Sequence, residues 1–186
     1  MPINYVNQRL LDKMNRWSIE GVEAGVIIVD ESTTDGNTSR DRDTCHRMQS
    51  GLLARAKRFG FPVFLVAYGA NGNAGFTSQF NNNLSRDLNS AIPAQSRVYS
   101  KGAFETNGFD NVQLVQDTAE ITHVVIMGQS VNACCAATAR GAVANNKQVH
   151  TSYSIMRGGE TATSSPVYFG VNFAGWPNGT TIHAGI

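Results

Sequence analysis

The chain has 186 residues, of which 41% are hydrophobic and 16% charged, and its formal net charge is +1. This length suits one domain with a full hydrophobic core, and no basic block is present that would favour a nucleic-acid partner. The apolar runs are too short to cross a membrane, the first residues lack a signal-peptide core, and three cysteines make no disulfide framework. We therefore expect a cytoplasmic protein without a membrane partner.

The first part of the chain alternates predicted helices and strands. Residues 4–18 and 43–59 carry apolar side chains at helical spacing, and Gly60 is a helix stop after the second of them. Strands are predicted at 24–30, which ends in Asp30, and at 61–67. The glycine-rich continuation 68–75 has the spacing G-x-x-G-x-x-G, which is not that of a dinucleotide-binding loop. We interpret it as a loop over a site, and no cofactor is expected.

The second part continues the alternation. Predicted strands at 97–101, 123–127 and 148–152 are separated by a short helix at 111–117 and by an alanine-rich helix. This order predicts a three-layer, Rossmann-like α/β domain, in which a mostly parallel β-sheet is flanked by helices on both faces. Ligands of such sheets bind beyond the carboxyl ends of the strands. Asp30, Lys101 and Cys134 all fall at those ends.

From about residue 155 the pattern changes. Residues 167–173 alternate in strand fashion, residues 176–179 form a strong turn signal, and 180–186 are predicted to return as the second arm of a hairpin. We expect a single domain over residues 1–186 whose divergent tail, about 155–186, forms an added sheet edge or an assembly surface.

The segment from Thr122 to Asn146 contains the candidate nucleophile. Its apolar strand ends in a turn at Gly128, and the following helix, with Asn132 as its N-cap, places Cys134 in the first turn. The free amides and the dipole of such a turn make a thiol more acidic and can hold an oxyanion. The alternative is a buried, inert cysteine. We favour that alternative for Cys135, whereas the two interpretations are even for Cys134.

Residues 128–138, which read GQSVNACCAAT, resemble the G-x-x-T-x-x-C-V-x-x-T segment of isochorismatase-like cysteine hydrolases, which include nicotinamidases and N-carbamoylsarcosine amidase. In that family an Asp ends the first strand and a Lys ends a middle strand, as Asp30 and Lys101 do here. The resemblance covers residues 20–150 and implies a Cys-Asp-Lys triad with Cys134. The implied reaction is hydrolysis of a small C–N amide substrate through a thioester intermediate.

The same resemblance implies further features. The backbone amides of Ser130 and Cys134 would line the oxyanion hole, and the bond between Gln129 and Ser130 would be a cis peptide. Separately from the resemblance, Tyr68, Phe104 and Gln129 are candidates for the wall of the substrate pocket, although we favour an ordinary core for the two aromatic residues. Relatives commonly assemble, so a homo-oligomer (a dimer or a tetramer) is expected.

The chain also departs from the family pattern. Family members often read D-x-Q at the first strand, whereas this chain has Asp30, Glu31 and Ser32, and the D-x-H metal motif of nicotinamidases is missing downstream. The four histidines lack ligand spacing, so we interpret them as satisfied structural residues and expect a metal-independent enzyme. Two alternatives stay open. One is an isochorismatase-type vinyl-ether hydrolase in which Cys134 is a bystander, and the other is a non-catalytic binding or assembly module.

Overall fold

A seven-stranded parallel sheet organises the described part of the chain. The structure is a computed structural model that describes residues 5–6, 9–31, 39–68, 97–101, 107–129, 131–156, 173 and 175–186. The strands are β1 (Tyr5–Val6), β2 (Ala24–Val29), β3 (Val63–Tyr68), β4 (Arg97–Lys101), β5 (His123–Gly128), β6 (Gln148–Ser152) and β7 (Thr181–His183). Their spatial order is β1-β7-β6-β5-β2-β3-β4.

Four α-helices and three short turns connect these strands within the described ranges. The helices are α1 (Leu10–Glu20), α2 (Ser39–Phe59), α3 (Val112–Asp117) and α4 (Ala136–Ala144). Turns of 3-10 helix lie at Gly108–Asp110 and Tyr153–Ile155, and a π-helical turn at Val131–Cys135 leads directly into α4.

The core is divided between the two faces of the sheet. Along β2, Val26 and Ile28 pack with residues of α1 and α2, whereas Ile27 and Val29 pack with residues of α3 and α4. All six residues of β2 are buried, as expected for a strand of a parallel sheet that helices cover on both sides. The predicted three-layer α/β fold is therefore confirmed.

Two of the predicted elements are wrong in part. Helix α1 begins at Leu10, and Tyr5–Val6 at the start of the predicted helix instead form β1, because the ladder of β7 is available to them. The predicted hairpin arm near the end is a strand, but β7 runs parallel to both β6 and β1, with Ile182 opposite Thr151 and Tyr5. A hairpin would require an antiparallel neighbour. The strand predicted at 167–173 and the loop at 69–75 lie outside the described residues, apart from Phe173.

Candidate active site

The carboxyl ends of β2, β4 and β5 meet at one rim of the sheet. Asp30 follows β2 directly, Lys101 is the last residue of β4, and Cys134 lies in the π-helical turn after β5. Strand β2 pairs with β5 on one side and β3 on the other, and β4 lies beyond β3. The lysine must therefore extend past the end of β3 to reach the β2 end, which its long side chain allows.

Asp30 adopts an unusual backbone conformation at this rim. Its φ is 50°, in the left-handed region that non-glycine residues seldom occupy and that aspartate tolerates better than most. Its amide still donates to the Val66 carbonyl of β3 at 2.9 Å, so the pairing of β2 with β3 continues up to the residue at which the chain turns. A conformation of this kind costs about 1–3 kcal/mol and tends to occur at functional sites, where the surrounding structure holds it.

Asp30 and Lys101 form an ion pair. The Lys101 ammonium donates to Asp30 Oδ2. The lysine is 1% exposed and is among the largest fully buried side chains. A buried cation that lost its carboxylate would carry a large uncompensated desolvation cost, so each member of the pair fixes the other.

Gly128 makes the close approach of β5 and β2 possible. Its φ is 130°, and a Cβ at this position would lie 2.0 Å from the Val29 carbonyl oxygen. The next residue, Gln129, donates its amide to the same oxygen at 3.0 Å. The turn predicted at Gly128 is thus present, and only glycine fits where the chain leaves the sheet toward Cys134.

The Cys134 thiol lies near both members of the ion pair. It is half-buried, and both Asp30 and Lys101 are close enough to act on its pKa. Burial raises the pKa of the Cys134 thiol above its usual value, the charge of Asp30 raises it further, and the Lys101 cation opposes the rise. The expectation of a more acidic thiol is therefore wrong for the resting site, where the thiol keeps its proton at neutral pH.

The segment around Cys134 differs from the predicted regular helix. Asn132 lies inside the π-helical turn and is not an N-cap, and α4 begins only at Ala136. Cys134 is the fourth residue of the continuous helical segment, so its amide is among those without an intrahelical acceptor. Cys135 is fully buried, as predicted, and burial raises the pKa of its thiol well above the usual value.

A buried polar network beside Asp30 was not anticipated. The Glu31 carboxylate is completely buried and accepts from Gln49 Nε2 at 2.7 Å, while His46 Nε2 lies 2.8 Å from it. Gln49 also donates to the Ile155 carbonyl at 3.0 Å. The sequence marks Glu31 only as a departure from D-x-Q, although an acidic residue that continues a buried strand is a usable signal. The network anchors the residue after Asp30 to α2.

The remaining predicted site residues are only partly described. Ser130 and Phe104 lie outside the described residues, and Tyr68 is described as the last residue of β3. Gln129 is half-buried. The oxyanion hole, the cis peptide and the pocket walls therefore stay predictions.

Metal clusters and membrane-spanning helices are absent from the described residues. Among them, no three His, Cys, Asp or Glu side chains lie close enough to share a metal ion. No helix in the same ranges is long and apolar enough to cross a bilayer.

This parallel sheet, with its rim of Asp, Lys and Cys, has the architecture of a known fold. No protein-family model and no curated protein sequence matches the chain. Solved structures do match it. N-carbamoylsarcosine amidase from Thermoplasma acidophilum has 16% identity and a TM-score of 0.60, with coverage of 87% of this chain and 96% of that one.

Other similar structures carry different names. An isochorismatase from Pseudomonas putida has 18% identity and a TM-score of 0.58, covering 82% of this chain and 74% of that one. The MAR1 ribonuclease from Caenorhabditis elegans has 11% identity and a TM-score of 0.59, covering 76% and 68%. The chain therefore has the isochorismatase-like α/β fold, and the resemblance noted in the sequence is confirmed at the level of the fold. Activity has to be argued from the site, because one fold supports many functions.

Proposed function

We propose that the protein is a cysteine amidohydrolase that cleaves a small C–N amide substrate through a thioester on Cys134. Asp30 acts as the general base and acid, and Lys101 acts as a fixed cation. The observation that carries this proposal is a half-buried thiol beside an Asp30–Lys101 ion pair whose lysine is fully buried, with both charges acting on the thiol. A structural ion pair alone would not require a half-exposed thiol beside it.

The raised pKa of Cys134 explains why a base is needed. Since the resting thiol is protonated, attack requires that its proton move to Asp30 as the sulfur approaches the substrate carbonyl. Protonation also removes the negative charge that opposes the thiolate, while the Lys101 cation remains. Proton transfer therefore turns an unfavourable environment for the thiolate into a favourable one.

The reaction then proceeds in two steps, formation of the thioester and its hydrolysis. The sulfur of Cys134 forms a bond to the carbonyl carbon, and the C–N bond breaks as Asp30 returns the proton to the leaving amine. A water molecule next gives a proton to Asp30 and attacks the thioester carbon. The acid product leaves, and the sulfur regains its proton from the same carboxyl group. The free amide of Cys134, with that of Ser130, would stabilise each oxyanion, and removing one such donor typically costs about 100- to 1,000-fold in rate.

The test uses a panel of small amides with three proteins: the unchanged chain, Cys134→Ala and Cys135→Ala. We expect hydrolysis by the unchanged chain and its complete loss in Cys134→Ala, with both proteins folded. A thioester mass on the peptide that contains Cys134 should accompany turnover. Cys135→Ala is the matched control, since it removes the neighbouring buried sulfur and should keep activity.

The same experiment distinguishes the alternatives. Turnover of a vinyl ether that survives Cys134→Ala would indicate isochorismatase-type chemistry with a bystander cysteine. A binding or assembly module would hydrolyse nothing in the panel, and no thioester would form on its Cys134. Either result would refute the amidohydrolase proposal.

Metal independence and assembly are part of the proposal. A pyrazinamidase from Pyrococcus horikoshii with the same fold is described in complex with zinc, whereas the described residues of this chain offer no cluster for a metal ion. We expect amide hydrolysis to persist after dialysis against EDTA. We expect light scattering of the full chain to give the mass of a dimer or a tetramer.

A further inference from the structure

We propose that Trp176 is a positioning residue that holds the turn carrying Cys134 beside Asp30 and Lys101. The inference rests on the proposed function, because it assigns a role to the divergent tail in placing the nucleophile. Trp176 does not touch the reacting atoms in this proposal. It acts on them through the π-helical turn.

A buried hydrogen bond joins the tail to that turn. Trp176 Nε1 donates to the Val131 carbonyl oxygen at 2.7 Å, and both side chains are buried, at 6% and 1% exposure. Val131 is the first residue of the π-helical turn, and Cys134 is the fourth. An indole N–H only donates, so this bond joins one defined donor to one defined carbonyl.

A second bond secures the same piece of tail from the other side of the nucleophile. Arg140 of α4 donates through Nη1 to the Gly175 carbonyl. Two consecutive residues of the tail thus hydrogen-bond to the helical segment, one before Cys134 and one after it. A segment held at two points on either side of the thiol cannot slide along its axis without breaking one of the bonds.

Aromatic packing gives the tail a firm base. The rings of Phe173 and Trp176 are T-shaped with centroids 5.2 Å apart, and Phe173 makes the same arrangement with Tyr153 at 5.2 Å. Tyr153 begins the 3-10 turn that directly follows β6. The indole therefore packs against an aromatic cluster that is connected to the central sheet. This packing fixes the position of its N–H relative to the rim.

The π-helical turn makes such a hold useful. Turns of this type are rare, occur mostly as single turns and frequently lie at functional sites. The turn shifts the hydrogen-bond pattern by one residue before α4 resumes the regular pattern at Ala136. A shift back to the regular pattern would rotate Cys134 about the helix axis and move its thiol away from Asp30 and Lys101. The bond to the Val131 carbonyl favours the shifted pattern.

The experiment measures the alkylation of Cys134 by iodoacetamide between pH 6 and pH 10, with peptide mass spectrometry as the readout. The unchanged chain is compared with Trp176→Phe, which keeps an aromatic ring and removes the donor. Trp17→Phe is the matched control, since Trp17 is buried on the opposite face of the sheet. Arg140→Met removes the second bond of the tail, and circular dichroism checks that each variant is folded.

We expect the pH midpoint of alkylation to lie above that of a free cysteine in the unchanged chain. In Trp176→Phe it should fall toward about 8.5, the value of a free thiol, because the cysteine leaves its buried position beside Asp30. The rate at pH 7 should rise by roughly tenfold, the change expected when one buried hydrogen bond no longer holds the turn. Arg140→Met should shift the midpoint in the same direction, and Trp17→Phe should leave it unchanged.

An unchanged midpoint and rate in folded Trp176→Phe would overturn the inference, and so would an equal shift in Trp17→Phe. If Trp176→Phe does not fold, benzothienylalanine at position 176, which keeps the shape of the ring without the N–H, decides the question by the same midpoint. Alkylation needs no substrate, so this test is independent of turnover. Loss of the proposed amide hydrolysis in the panel experiment would therefore not be confused with a failure of the tail to hold Cys134.

Discussion

His150 should make the folded state sensitive to mild acid. The residue lies on β6 and is 4% exposed, and its ring stacks against those of His123 and His183 with centroids 5.5 and 5.6 Å away. The Trp17 ring makes a T-shaped contact with it at a centroid distance of 4.7 Å, and Lys13 adds a nearby cation from α1. Its Nδ1 lies within hydrogen-bond distance of His183 Nε2, at 3.4 Å, but within the described residues its Nε2 has no partner. The prediction that the histidines are satisfied is therefore wrong for this second nitrogen.

The size of the stability loss in acid follows from the pKa of His150. Burial, with positive charge on His183, His123 and Lys13 as smaller causes, lowers the pKa of His150 to about 3. An unfolded histidine titrates near about 6.5, so between these two values the unfolded chain binds one more proton than the folded chain. The contribution of His150 to the free energy of unfolding is fully present above about pH 6.5 and decreases as the pH drops toward 3. At pH 5 the loss is about 2 kcal/mol relative to pH 8.

The assay is urea unfolding of the unchanged chain and of His150→Phe at pH 8 and pH 5. Phenylalanine keeps a ring in the stack and removes the titrating group. The unchanged chain should lose about 2 kcal/mol more than the variant over this interval. His123→Phe, at a half-buried position in the same stack, should keep most of the loss. Equal losses in the unchanged chain and His150→Phe would refute the reasoning.

Three further substitutions test the site and its supports. Gly128→Ala places a Cβ 2.0 Å from a backbone oxygen of the neighbouring strand, so we expect at least about 3 kcal/mol of destabilisation in urea unfolding; an unchanged midpoint would show that the strand ends separate easily. Thr138→Val removes the acceptor of the Gly108 amide, 3.0 Å away and buried, and should cost about 1–3 kcal/mol in the same assay; a change near zero would mean that water replaces the hydroxyl. Lys101→Met removes the cation that lowers the pKa of Cys134, so alkylation of Cys134 by iodoacetamide at pH 8 should slow, by about tenfold for each unit of pKa. Faster alkylation would contradict the assigned direction.

Local signals were sufficient for most of the fold. The β-branched runs at β2 and β5 are buried on both faces, and such runs have few alternatives to a parallel sheet. Gly128 marked a turn because no side chain fits there. Asp30 and Lys101 could be placed at one rim because parallel strands end on the same side of a sheet.

Features that depend on distant partners were not predictable in this way. The direction of β7 is set by β6 and β1, and a three-residue strand has no pattern that specifies a parallel neighbour. The π-helical turn has the composition of an ordinary helix start, and the Trp176 side chain that contacts it lies far away in sequence. The raised pKa of Cys134 arises from burial and from the charge of Asp30, which act only once the fold has brought them together.

The order of strands at one edge of the sheet links opposite ends of the sequence. Strand β1 pairs with β7, and β7 is the strand that joins it to β6. Strand β1, near the start of the chain, therefore has no ladder to join until β7, near its end, has docked. This gives the edge a high contact order and places its completion late in folding. Removing residues 181–186 would release both strands and uncover the ladder of β6, the kind of open edge at which separate chains aggregate.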